Sequence, residues 1–126
     1  MRYSLTPLIA VIVALTATAT AVPSDYAKLL VGHWRIHRPG RADRIVIFHS
    51  DGTWGVRNWD FSQSEDIRGR RWRVETDRLV LTYPSDHDFT THAENIVSIT
   101  RARFVTEVDS SRFLYTRIER WPPKSP

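Results

Sequence analysis

Hydrophobic and polar residues alternate along most of the chain after residue 31, and this period of two is typical of β-strands. The clearest case is residues 44–59, where two runs rich in β-branched and aromatic residues flank Asp51-Gly52. Gly52 can adopt the positive φ of a tight turn, and the Asp51 side chain can bond its own backbone. Residues 44–59 therefore predict a β-hairpin.

The pattern leaves the register of this hairpin open, because the loop length decides which side chains share a face. With a two-residue loop, one face carries Ile45, Ile47, Trp54 and Val56. With a three-residue loop and a bulge at Gly52, one face instead carries Val46, Phe48, Trp54 and Val56.

The same alternation predicts six further strands, which are residues 33–37, 69–75, 78–83, 92–100, 103–109 and 112–119. A short helical turn over residues 25–30, capped by Ser24 and ended by Gly32, precedes the first strand. No segment between the strands is long enough for a crossover helix. Sequential strands are therefore expected to pair as antiparallel neighbours.

Eight such strands can close into an up-and-down barrel, which leaves no unpaired sheet edge. Connections at one end of the barrel are short, around residues 51–52, 76–77 and 101–102. Three long polar connections, residues 38–43, 60–68 and 84–91, fall at the other end. The sequence thus predicts an all-β, eight-stranded antiparallel barrel with one closed end and one open mouth; a β-sandwich is the alternative.

The beginning of the chain has the features of a secretory signal peptide. Arg2 gives a positive start, residues 8–15 are apolar, and residues 19–21 form a small-x-small cleavage site. The apolar run is shorter than the roughly 20 residues of a membrane-spanning helix. We expect a signal peptide at residues 1–21, a barrel at 22–120, a Pro-rich tail at 121–126, and a periplasmic or secreted location.

Composition narrows the possible chemistry. The sequence has no Cys, so disulfides cannot stabilise the domain. Its 18 basic residues exceed its 14 acidic ones, and only Lys28 and Lys124 are lysines. Such an arginine excess either marks recognition of carboxylates and phosphates or reflects genomic base composition, and we favour the latter.

Candidate catalytic and metal-binding motifs are weak. Asp86, His87, Asp88 and His92 offer metal donors, but adjacent residues of an extended chain point in opposite directions, which favours a solvated loop. No nucleophile elbow and no Gly-rich phosphate loop is present. We therefore expect neither enzymatic activity nor a metal or other cofactor.

Four arginines surround Trp72 and superficially suggest a nucleic-acid groove. Alternation places Arg71 and Arg73 on the face opposite Trp72, whereas Arg70 shares the face of Trp72. A solvated outer face explains this pattern better, so no nucleic-acid partner is expected.

Sparse motifs over most of the predicted barrel resemble the bacterial lipocalin-like domains. They are Gly32-His33-Trp34, Phe48-x-x-Asp51-Gly52, Gly69-x-x-Trp72 and Tyr115-x-Arg117. The resemblance implies that Trp34 stacks on Arg117 beside Gly32 at the closed end, with Arg120 as the second choice. These residues would be structural, and such a stack contributes on the order of 1 kcal/mol. In so short a chain the interior holds at most a small ligand or is filled by Phe48, Trp54 and Trp72.

The open mouth and the aromatic residues predict an exported lipocalin-like binding module for a small, partly apolar ligand. The expected lining residues are Trp54, Trp72 and Tyr83, and the expected mouth residues are Arg38, Arg41, Phe61, His87 and Phe89. The alternative is a protein-interaction module with a filled barrel, such as a periplasmic inhibitor or envelope accessory protein. Residues 22–26 or 121–126 would then contact the partner. The ligand, the partner and the oligomeric state are left open.

Overall fold

The computed structural model describes residues 22–59 and 64–121. The predicted signal peptide, Phe61 and residues 122–126 lie outside these ranges. The described chain forms the following elements: α1 (Val22–Leu30), β1 (Gly32–His37), β2 (Arg44–Phe48), β3 (Trp54–Asn58), β4 (Arg71–Glu75), β5 (Arg78–Pro84), β6 (Phe89–Ile99), β7 (Arg103–Val108) and β8 (Ser111–Arg117). No described helix has the length and apolar character needed to span a membrane.

All strand pairs are antiparallel, and the strand order is β3-β2-β1-β8-β7-β6-β5-β4. Strand β1 pairs with β2 on one side and with β8 on the other, so the first and last strands are neighbours. The predicted eight-stranded antiparallel up-and-down barrel is therefore confirmed.

The barrel is nearly closed at the seam between β3 and β4, which share no continuous ladder. Thr53 bridges to Arg71 and Val56 bridges to Asp66. The backbone N–H of Trp72 donates to the carbonyl oxygen of Gly52 at 2.9 Å. The chain just before β4 thus covers part of the free edge of β3.

The β2–β3 hairpin adopts the second of the two predicted registers. Phe48 pairs with Trp54 and Val46 pairs with Val56, so these four side chains share the inner face. Gly52 has a φ of 89°, and Thr53 N–H donates to Asp51 Oδ1 at 3.0 Å. The turn chemistry of the Asp-Gly pair therefore sets the register of the whole hairpin.

The β5–β6 connection is shorter than predicted. Pro84 pairs with Phe89, and only residues 85–88 form the loop, which is closed by a hydrogen bond from Ser85 N–H to Asp88 O at 2.8 Å. The predicted long loop over residues 84–91 is therefore wrong. Thr90 and Thr91 are polar but β-branched, and they extend the ladder on a solvated surface.

The half of the barrel near α1 is filled by aromatic side chains. Phe104 stacks on Tyr115 with ring centroids 4.0 Å apart, and Trp34 meets Phe104 edge-on at 4.7 Å. Phe48 and Leu30 are also fully buried in this cluster. Such pairs add roughly 0.5–1.5 kcal/mol each beyond area burial, so they stabilise the closed end.

A single guanidinium connects the elements at this end. Arg117 lies over the Trp34 ring, with Cζ 4.2 Å from the ring centroid, as the resemblance implied. It donates hydrogen bonds to the carbonyl oxygens of Leu29, Val31 and Arg101. Trp34 Nε1 donates to Leu30 O at 2.8 Å. The end of α1, β1, β8 and the β6–β7 turn are therefore fixed to one another.

Replacing Arg117 by lysine should lower the free energy of unfolding by about 2 kcal/mol, because an ammonium cannot stack on Trp34 and reach all three carbonyl groups. Urea denaturation would measure the change. The matched control is Arg120→Lys, an exposed position that should stay within about 0.5 kcal/mol of the parent protein. Equal effects at the two positions would contradict the structural role of Arg117.

Gly32→Ala should also destabilise the closed end. Gly32 has a φ of 139°, and an added Cβ would collide with Arg117 Nη1. Gly52→Ala is the control, because Gly52 also has a positive φ but no atom within 4 Å of the added Cβ. In thermal unfolding, we expect the larger decrease in Tm for Gly32→Ala, and a larger decrease for Gly52→Ala would refute the clash.

Candidate functional site

A cavity of about 600 Å³ lies in the open half of the barrel. Its apolar wall is built from inward-facing residues on five strands, which are Ile36, Val46, Val56, Leu81 and Phe113. Each follows the period of two that places alternate side chains on the inner face. Because the large aromatic residues fill the closed half, the cavity is confined to the end where the longer connections lie.

Three aromatic residues with polar atoms also line the cavity: Trp54, Tyr83 and Tyr115. Trp54 Nε1 donates to Thr82 O at 3.1 Å, so the indole on β3 reaches across the β3–β4 seam and is fixed to β5. Tyr83 meets Trp54 edge-on with centroids 6.5 Å apart. This part of the wall therefore presents rigid aromatic surface to the interior.

The buried polar part of the cavity is centred on Glu94, which is only 3% exposed. Its Oε1 accepts hydrogen bonds from Thr106 Oγ1 at 2.7 Å and from the Tyr115 hydroxyl at 2.8 Å. Its Oε2 lies 3.0 Å from His92 Nε2. The carboxyl group is thus engaged by three partners from β6, β7 and β8, as a buried acid requires.

This arrangement shifts two pKa values. Burial, then the nearby Glu94 carboxylate, raises the pKa of Tyr115 well above its usual value, so the phenol is a permanent donor. The hydrogen bond to Glu94 is the main cause that raises the pKa of His92, against the opposing effect of burial. Glu94 therefore favours the protonated form of His92 in this part of the cavity.

Four arginines border the cavity at the open end: Arg38, Arg41, Arg44 and Arg70. Three of them lie two positions from a residue that faces the barrel interior, and alternate strand residues share a face. Arg38 follows Ile36, Arg44 precedes Val46 and Arg70 precedes Trp72. Burial, followed by the charges of Arg38, Arg70 and Arg41, lowers the pKa of Arg44. The open end is thus a concentrated positive region next to apolar walls. We call these four residues the arginine cluster.

One member of the arginine cluster is held by an aromatic ring. Arg70 Cζ lies 4.7 Å from the centroid of the Trp54 ring, and Arg70 Nη2 is 3.7 Å from Asp66 Oδ2. Half of the Asp66 side chain is exposed, so this long contact neutralises little of the charge. Stacking on Trp54 therefore positions Arg70 without using its hydrogen-bond donors.

A second groove of about 580 Å³ lies beside the β1–β2 connection and shares Arg38, Arg41 and Arg44 with the cavity. The carboxylate of Asp43 also lines this groove. It accepts a hydrogen bond from Arg35 Nε at 2.7 Å and lies 3.0 Å from His37 Nδ1. Asp43 therefore compensates part of the positive charge of this groove, including that of Arg38.

The structure separates the predicted site residues into two groups. Trp54, Tyr83, Arg38 and Arg41 all line the cavity. Trp72 instead belongs to the core, where its ring packs 5.3 Å from Phe48 and its Nε1 donates to His49 O. His87 and Phe89 lie on the exposed β5–β6 hairpin and do not line the cavity, with Phe89 60% exposed. Phe61 lies outside the described residues.

The residues that sequence reasoning missed are Arg44, Arg70, His92, Glu94, Phe113 and Tyr115. A usable signal was present for all of them except His92, because each of the other five stands two residues from an apolar or aromatic residue of the inner face. The side chain of a charged residue at such a position is directed into the barrel. Among the described residues, no group of three or more metal-ligating side chains is arranged to hold a metal ion.

The raised pKa of His92 predicts a specific pH dependence of stability. Since the folded pKa exceeds the unfolded value of about 6.5, the contribution of His92 is complete below that pH and is lost as pH rises through the folded pKa. The difference in unfolding free energy between the parent protein and His92→Gln should therefore be larger at pH 6 than at pH 9.

Urea unfolding at several pH values checks this dependence. His87→Gln, which removes an exposed histidine, is the control and should follow the parent protein across the range. A His92 contribution that increased with pH would contradict the arrangement with Glu94.

Comparison of the chain with protein-family models, with curated proteins and with solved structures finds no match, so the cavity itself carries the functional argument.

Proposed function

We propose that this protein is an exported, lipocalin-like binding module that holds a small, partly apolar molecule in the cavity at the open end of the barrel. The observation that carries the proposal is the cavity of about 600 Å³, which is within the usual range of small-molecule sites. The proposed export rests on the features of residues 1–21, and the lipocalin-like assignment rests on the sparse motifs and the barrel.

The chemistry of the walls supports a ligand of mixed character. Leu81, Val46 and Trp54 offer apolar surface, whereas the arginine cluster and His92 offer donors at one side. A few convergent polar groups on a mainly apolar wall are typical of sites that orient one ligand. The unfilled open half of the barrel also favours ligand binding over the alternative of a filled barrel that acts only through protein contacts.

The contacts of the buried polar groups favour a binding function over a catalytic one. Glu94 already accepts hydrogen bonds from Thr106 and Tyr115, and it contacts His92. A carboxylate held in this way stabilises the barrel wall. We therefore propose no catalytic residue and no cofactor.

The proposal predicts that a ligand stabilises the protein in thermal unfolding against a panel of lipids and aromatic metabolites. A ligand at a hundredfold excess over its Kd adds about 2.7 kcal/mol, which raises Tm by about 10–20 °C in a domain of this size. Differential scanning calorimetry would measure the shift.

The matched variants are Val56→Trp, which fills the cavity from its wall, and Thr116→Trp, which places the same side chain on the exposed outer face. Val56→Trp should abolish the ligand-induced shift and Thr116→Trp should keep it. No shift with any compound, or an equal shift in both variants, would refute a ligand site in the cavity.

A further inference from the structure

Positive charge at the open end exceeds the negative charge that faces it. The arginine cluster carries four guanidinium groups, while Glu94 is the one carboxylate among the described residues that line the cavity. Glu94 is engaged by His92, Thr106 and Tyr115. Asp66 lies beside Arg70 and Asp43 acts on Arg38, so the four cations are compensated only in part where they border a partly apolar space.

Several hydrogen-bond donors of the arginine cluster also lack a partner in the described part of the chain. The Nε atoms of Arg38, Arg44 and Arg70 are buried, and none of them has a hydrogen-bond partner among the described residues. Among the described residues, the Arg38 side chain donates from Nη2 to Ala42 O, and the Arg70 side chain stacks on Trp54 and lies 3.7 Å from Asp66. Buried polar atoms are bonded in the great majority of cases, and these three unpaired Nε atoms all belong to side chains that line one cavity, which favours an acceptor at this place.

We propose that the ligand of this cavity is an amphiphilic anion whose oxyanion head, a carboxylate or a phosphate monoester, is bound by Arg38, Arg44 and Arg70. This assignment rests on the proposed function, because it names the class of molecule that the same cavity holds. The apolar body lies along Leu81, Val46 and Trp54, and the head stays at the open end with the arginines.

The preference for an oxyanion follows from the geometry of guanidinium groups. Each presents donors in a planar fork that matches two oxygens of a carboxylate or phosphate, and such charge-assisted bonds are about twice as strong as neutral ones. Repulsion among the neighbouring guanidinium groups also favours the binding of an anion. The pKa values of Arg38 and Arg44 are lowered first by burial and then by the charges of neighbouring arginines, as repulsion within the cluster requires.

Isothermal titration calorimetry with decanoate, decyl phosphate and decanol tests the inference, since the three probes share one apolar chain. Decanoate or decyl phosphate should bind at least tenfold more tightly than decanol. The tighter of the two anions identifies whether the head is a carboxylate or a phosphate ester. Raising the NaCl concentration should weaken binding of the anions and leave decanol binding unchanged.

Arg44→Gln should reduce the affinity for the anion at least tenfold and leave decanol binding unchanged. Arg78→Gln is the control, because it removes the same charge from an exposed residue at the closed end. Should Arg44→Gln fail to fold, Arg70→Gln tests the same head group, and the salt dependence needs no variant.

The outcomes separate this inference from the proposed function. Equal affinities for decanoate, decyl phosphate and decanol would overturn the oxyanion head while keeping the cavity as a ligand site. Binding of decanoate that survives in both Arg44→Gln and Arg70→Gln would also overturn it. Absence of binding for all three probes would overturn both.

Discussion

The structure depends on the guanidinium of Arg117, which joins parts of the chain that are far apart in sequence. Two of its three acceptors, the carbonyl oxygens of Leu29 and Val31, lie at the end of α1. The last carbonyl groups of a helix have no partner within the helix and carry partial negative charge, so a cation there is favourable. The third acceptor, Arg101 O, belongs to the β6–β7 turn. One side chain thereby completes the helix end, covers Trp34 and holds β8 beside β1.

Closure at this end determines where open volume can exist. Trp34 meets Phe104 edge-on, Phe104 stacks on Tyr115, and these buried rings fill the interior near α1. Towards the other end the inner residues become smaller, such as Val46 and Val56, or carry charge, as Arg44 does. The position of the cavity is therefore a consequence of how the closed end is packed. Tyr115 belongs to both regions, because its ring completes the aromatic stack and its hydroxyl bonds Glu94.

Much of the fold could be predicted from the sequence, and the failures have identifiable physical causes. Period-two alternation and short turns indicated eight antiparallel strands, because both signals are local. The extension of β6 to Phe89 was missed since Thr90 and Thr91 resemble loop residues by polarity but favour strands by shape. The Glu94 network was missed for a different reason. Glu94 and Tyr115 are 21 positions apart, and their contact depends on the pairing of three strands.

The arginines of the open end show how far local patterns can be taken. Alternation correctly places Arg70 on the face of Trp72. For Arg44 the inward direction is harder to predict, because arginine is usually solvent-exposed. Backbone ladders pair β2 with β3 and β4 with β5, so strand pairing itself does not depend on charge at these positions. Buried guanidinium atoms without a partner are energetically unfavourable. Under the proposed function, an anion bound in the cavity would remove this penalty, so the same groups that cost stability would provide the affinity.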